Sequence, residues 1–115
     1  MEKMEVKYTM EINEYQKYVK MGASPKYDDI SFAALALVGE VGEVCDVIKK
    51  SNIYSDSVEA FDEMRIMDEL GDVLWQWMAC VNAIGISVEA VIDYNVSKLN
   101  ARHGGAQLDT TGGKR

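Results

Sequence analysis

Two acidic pairs, Glu40-Val-Gly-Glu43 and Glu69-Leu-Gly-Asp72, constrain this chain more than any other feature. Each pair is spaced i, i+3, and each lies in a stretch whose apolar residues recur with a helical period. Residues three apart share one helix face, so each pair points its two carboxylates the same way. Phe32, Ala36, Glu40, Glu43 and Val47 continue a single stripe, so the acids extend the apolar face rather than oppose it. Glu69 and Asp72 border a second stripe of Phe61, Met64, Met67, Leu70, Val73, Leu74, Trp77, Met78 and Val81. Four carboxylates facing a core repel one another and are expensive to desolvate. A bound cation removes both problems.

The fold class follows from the same periodicity. Helix formers are abundant, there is one proline, and no β-branched alternation is sustained. This predicts an all-α domain over residues 1–103, with 104–115 as a glycine-containing flexible tail. Thr9 or Asn13 is placed to cap a first helix with face Ile12, Tyr15 and Val19, ending at a left-handed Gly22. Ser24-Pro25 opens a second helix, which closes on Lys49-Lys50. Ser51 to Ser57 is a loop. A third helix runs from near Val58 to about Ala83, stopped by Gly85, and Ser87 caps a fourth running from Val88 to about Arg102. The short Gly85 connection predicts an antiparallel hairpin of the last two helices. The inner face of the fourth is Val88, Val91, Ile92, Asn95, Val96 and Leu99.

Charge and cysteine usage narrow the function classes. A net charge of −7 opposes an electrostatically driven nucleic-acid or membrane-surface binder. It does not oppose a small phosphorylated ligand, because a metal inverts the local potential. Cys45 and Cys80 read as buried reduced thiols. Together with an N-terminus lacking an apolar core segment, they point to a cytoplasmic protein.

The donor set defines the metal class. Carboxylates with no His or Cys beside them suit Mg²⁺, with Mn²⁺ as a substitute. A di-iron bundle needs Glu-x-x-His pairs, and the lone histidine, His103, lies at the edge of the tail. Gly39, Gly42 and Gly71 adjoin the pairs and make room for a close helix approach or for a ligand. Asn95, Lys98 and Arg102 share one side of the fourth helix, either as anion contacts or as solvated helix-end groups. Trp75, Trp77, Tyr15 and Tyr94 are the aromatic residues on these helices, with Gln16 beside Tyr15. The competing reading of the acidic quartet is a non-catalytic acidic helical association module.

The ordered set Glu40-x-x-Glu43 and Glu69-x-x-Asp72 resembles the signature of the MazG-like all-α nucleoside triphosphate pyrophosphohydrolases. The surrounding words are similar too: Leu37-Val-Gly-Glu-Val-Gly-Glu-Val44, Ile48-Lys-Lys50, Asp68-Glu-Leu-Gly-Asp-Val-Leu-Trp75, Gly85-Ile-Ser-Val88 and Asn95-Val-Ser-Lys-Leu-Asn-Ala-Arg102. Asn13-Glu-Tyr-Gln16 resembles the family's opening helix. The resemblance implies a four-to-five-helix bundle completed as a homodimer or homotetramer. It implies Mg²⁺-dependent conversion of a nucleoside triphosphate to the monophosphate and pyrophosphate. It implies Glu40, Glu43, Glu69 and Asp72 as metal ligands, Glu40 or Glu43 as the proton acceptor, and Asn95, Lys98 and Arg102 as phosphate contacts. With a nucleotide as substrate, Trp75, Trp77, Tyr15 and Tyr94 become candidates for base stacking, and Gln16 for a base contact. Hydrolysis of another phosphate ester, such as guanosine tetraphosphate, is the enzymatic alternative. Some members carry one further Glu just before the first motif Glu, where this chain has Gly39.

Overall fold

The computed structural model describes residues 7–52 and 63–103. Residues 1–6, positions 53–57 of the expected loop, the expected helix start near Val58, Phe61 and the 104–115 tail lie outside the described residues, whereas Ser51 and Asn52 of that loop are helical. The described chain forms α1 (Ile12–Gly22), a 3₁₀ turn (Pro25–Asp28), α2 (Ile30–Asn52), α3 (Glu63–Ile84) and α4 (Val88–Arg102), with no strand among the described residues. The all-α expectation holds.

Local chemistry sets the helix ends, and three differ from expectation. The first helix is capped by Glu11, not Thr9 or Asn13: the Glu11 N–H donates to Glu14 Oε1 at 3.1 Å. Gly22 is not left-handed. Ala23 caps α1 in an extended conformation, and Gly85 is the positive-φ glycine, at 78°. Gly22 instead faces the Trp75 ring, which a Cβ there would approach to 3.9 Å. Ser24-Pro25 begins only the 3₁₀ turn. Asp29 then starts α2, its Oδ1 accepting from Ser31 N at 2.9 Å and its carbonyl from Ala33 N at 3.1 Å. Ser87 caps α4 as expected, accepting from Ala90 N at 3.1 Å.

The core gathers on the C-terminal half of α3. Val19, Met78, Ala79, Val81 and Val88 are buried together, with Tyr15, Tyr27, Trp75, Trp77 and Val91 packed around them. The most extensive contact is between α2 and α3. They run antiparallel: Glu40 lies by Asp72, whereas Asp46, further along α2, feels Arg65, earlier on α3.

The last connection is not an antiparallel hairpin, because the chain bends by 98° between α3 and α4. One reason is Gln16. Its Nε2 donates to Asn82 Oδ1 and to the Ile86 carbonyl, and its Oε1 accepts from Val88 N, each at 2.9 Å. Asn82 Nδ2 returns a bond of 3.2 Å to the Gln16 carbonyl. This bracket ties the first turn of α4 to α1, so α4 leaves the body of the protein instead of folding back along α3. Val88 is buried, but Ile92 and Val96 are exposed.

Much of the predicted apolar face is likewise uncovered. Leu35 is 74% exposed and Val38 67%, and Met64, Met67, Leu70 and Leu74 are about half exposed. The expected burial of Cys45 is not found: it is exposed, Cys80 is half-buried, and both are free thiols. The Cα radius of gyration is 17.4 Å, where a compact domain of about 100 residues measures about 13 Å.

Candidate metal centre

The acidic pairs meet where α2 and α3 pass each other on the N-terminal side of the core. Glu40, Glu69 and Asp72 each offer an oxygen, and these oxygens all lie within 4.8 Å of one another. Glu40 and Glu69 are half-buried, and Asp72 is exposed. Glu43, on the same helix as Glu40, lies outside this triad. Its charge still reaches both glutamates.

The electrostatics are those of mutually repelling carboxylates. Partial burial pushes the Glu40 carboxyl above the ordinary glutamate value, with the charges of Asp72, Glu43 and Asp68 adding to it. Glu69 is raised in the same way, first by partial desolvation and then by Asp68, Glu43, Asp72 and Glu40. Among the described residues, the charges that raise these two glutamates are acidic. By contrast, Asp46 is held below its usual range by a hydrogen bond to Lys50, 3.0 Å away one turn along α2. The triad therefore fits a small hard cation: oxygen donors alone, mutually repelling, and already converged.

The three glycines beside the acids do not serve a close approach of α2 to α3. A Cβ on Gly39, Gly42 or Gly71 would meet nothing within 4 Å. Their positions open away from the described helices.

Aromatic groups flank the centre. Trp75, one turn beyond Asp72, receives the edge of Tyr27 with centroids 5.3 Å apart, and Tyr27 meets Phe32 at 5.0 Å. Tyr15 stacks on Tyr18 at 6.0 Å. Burial raises its phenol pKa, with Tyr18 and then Asp72 contributing, which places Tyr15 in the field of the acid cluster. Trp77 packs against the core, and Tyr94 is exposed on α4. Gln16 is occupied at both ends of its amide by the α4 bracket, so neither N–H is left for a base.

The expected phosphate contacts are not brought to this centre within one chain. From Asp72 to Ile84 is about 18 Å of α3, and from Val88 to Lys98 and Arg102 is about 15 and 21 Å of α4. At a 98° bend these legs separate Asp72 from Lys98 and Arg102 by roughly 22 and 26 Å. Asn95, Lys98 and Arg102 are all exposed on this outlying helix.

Fold and chemistry together thus define an all-α scaffold carrying a carboxylate cluster that could hold a cation. The chain belongs to the family of the MazG nucleotide pyrophosphohydrolase domain, which matches residues 31–105. That family acts on nucleotides and is generally dependent on divalent metals. The Gene 37 protein of Mycobacterium phage L5 is 29% identical over 101 residues, covering 85% of this chain and 87% of its own length. No solved structure matches the chain.

Proposed function

We propose that this protein is a Mg²⁺-dependent nucleoside triphosphate pyrophosphohydrolase that converts a (d)NTP and water to the (d)NMP and pyrophosphate. The reading is carried by the convergence of Glu40, Glu69 and Asp72 within 4.8 Å in a chain of this family. These three residues would hold Mg²⁺, or Mn²⁺ in its place. When bound, the cation supplies positive charge that neutralises the triphosphate and polarises its phosphoryl oxygens.

The residues of the chain divide the remaining work. Glu43 lies beside the triad but outside it, which suits a carboxylate that takes a proton. Water attacks the α-phosphorus, the bond from that phosphorus to the β-phosphate oxygen breaks, and pyrophosphate leaves with the bonding pair. The water proton passes to Glu43, with Glu40 the second choice. Tyr15 and Trp75 border the site as base contacts.

Asn95, Lys98 and Arg102 would meet the phosphates of a second copy's site, since their own centre lies more than 20 Å away by the helix geometry above. The uncovered apolar residues on α2, α3 and α4 support a homodimer or homotetramer. The catalytic unit spans residues 1–103 and acts in the cytoplasm on nucleotide pools. No single described helix is long and apolar enough to cross a membrane, and the acidic charge opposes nucleic-acid binding.

A panel of canonical and modified (d)NTPs, with guanosine tetraphosphate, incubated with Mg²⁺ tests the proposal. Pyrophosphate release from at least one triphosphate is expected. Turnover of guanosine tetraphosphate alone would move the protein to another phosphate-ester hydrolase. No turnover of any member would leave the acidic association module.

A further inference from the structure

Beyond the acid triad, α3 continues with Trp75 and Gln76. Gln76 follows Glu69 by seven residues and Asp72 by four, so it extends their line along one helix face. Four residues advance about 6 Å. Helix register therefore places Gln76 next to the acid cluster and beside Trp75, whose ring meets Tyr27, which in turn meets Phe32.

Among the described residues, Gln76 Oε1 is buried and accepts no hydrogen bond. Gln16, the other half-buried glutamine nearby, uses both ends of its amide in the α4 bracket. A desolvated carbonyl without a protein partner is unfavourable in the free chain. It becomes favourable once a ligand offers an N–H. The triphosphate end of a nucleotide belongs at the carboxylates, and the uncharged amide one turn away faces the neutral end, the base.

We propose that Gln76 is a specificity-determining residue that reads the nucleobase, its Oε1 accepting from an exocyclic amino group. This inference rests on the nucleotide reading of the same site. A buried acceptor rejects a base that puts a keto oxygen there, because two acceptors face each other without a proton. Cytosine is favoured over uracil, and adenine over hypoxanthine.

The test uses the full-length protein and Gln76→Met, which keeps the length of the side chain and removes its polar end. Binding of dCMP and dUMP in Mg²⁺ is followed by intrinsic tryptophan fluorescence, alongside kcat/KM for the dCTP/dUTP and dATP/dITP pairs. The wild type should favour the amino member of each pair by about tenfold or more. In Gln76→Met the two members should come within about threefold, with Mg²⁺ affinity unchanged. The melting temperature of the nucleotide-free variant should be unchanged or higher, because an unpaired polar group has been removed. A wild-type keto preference, or an amino preference that survives in Gln76→Met, overturns the assignment. So does a lower melting temperature in both Gln76→Met and Gln76→Leu, which would make the amide a structural group. Failure of the nucleotide reading appears differently, as a wild type that neither binds nor hydrolyses any nucleotide, and it removes this assignment with it.

Discussion

Replacing Gln16 by leucine should loosen α4 more than it disturbs the acid cluster. The side chain makes three hydrogen bonds of 2.9 Å, to Asn82 Oδ1, the Ile86 carbonyl and the Val88 N–H. The Val88 N–H belongs to the first turn of α4, where it has no partner within the helix. Each bond is worth about 0.5–1.5 kcal/mol net, and part-buried groups left without partners move the total upward. Gln16→Leu should therefore cost about 2–4 kcal/mol, a large share of the stability of a small domain. Gln16→Glu keeps the acceptor for Val88 but turns a carboxylate oxygen toward the Asn82 and Ile86 oxygens, so it should cost at least as much. Urea unfolding followed by far-UV circular dichroism measures both, and a cycle with Asn82→Ala isolates the coupling within the bracket. A Gln16→Leu variant within about 0.5 kcal/mol of wild type would refute the bracket as the device that sets the angle of α4.

Further outcomes follow from the acid cluster and its surroundings. Folded Glu40 and Glu69 hold their protons more tightly than ordinary glutamates. The folded state then binds more protons, so this contribution to stability is present at low pH and is lost as pH rises above the ordinary value of 4.5. Melting temperatures of chelator-treated protein should show that fall, and saturating Mg²⁺ should remove it; a rise with pH in the metal-free protein would contradict the cluster. Glu69→Gln relieves like-charge repulsion, so it should raise the metal-free melting temperature while abolishing the increase that Mg²⁺ gives to wild type. Glu43→Gln should leave helicity and that Mg²⁺ response in place and stop turnover, and retained activity would remove Glu43 as the proton acceptor. Gly71→Ala introduces a Cβ that meets nothing within 4 Å, so the isolated chain should gain about 0.5–1 kcal/mol, read by urea unfolding. A loss instead would mean that another chain occupies that space.

What the sequence disclosed was the local and periodic part of this protein. The acidic pairs at i, i+3 on two helices carried three of their four members into one cluster, because helical spacing alone aligns each pair and α2 and α3 then pack along their lengths. Gly85 and Ser87 were readable as a stop and a cap because each acts through its own backbone. The angle of α4 was not readable. It depends on Gln16 bonding to Asn82, Ile86 and Val88, more than sixty residues away in the chain, and a glutamine beside a helix stripe gives no local sign of such a role. The same angle separates Asn95, Lys98 and Arg102 from the carboxylates with which the resemblance groups them. Ser24-Pro25 was a sound helix start locally, but Asp29 supplied a better one for the long helix. The glycines were misleading as packing residues, since the space beside them lies outside the described helices. Gln76 carried no sequence signal at all: only its burial without a partner marks it.

If Glu40, Glu69 and Asp72 form one Mg²⁺ site, it should support cleavage between the α- and β-phosphates. Phosphorus NMR of a turned-over nucleoside triphosphate, with wild type and Asp72→Asn compared in Mg²⁺, decides this. Wild type should give monophosphate and pyrophosphate in equal amounts, and Asp72→Asn no products. Diphosphate with inorganic phosphate, or pyrophosphate still formed by Asp72→Asn, would contradict it.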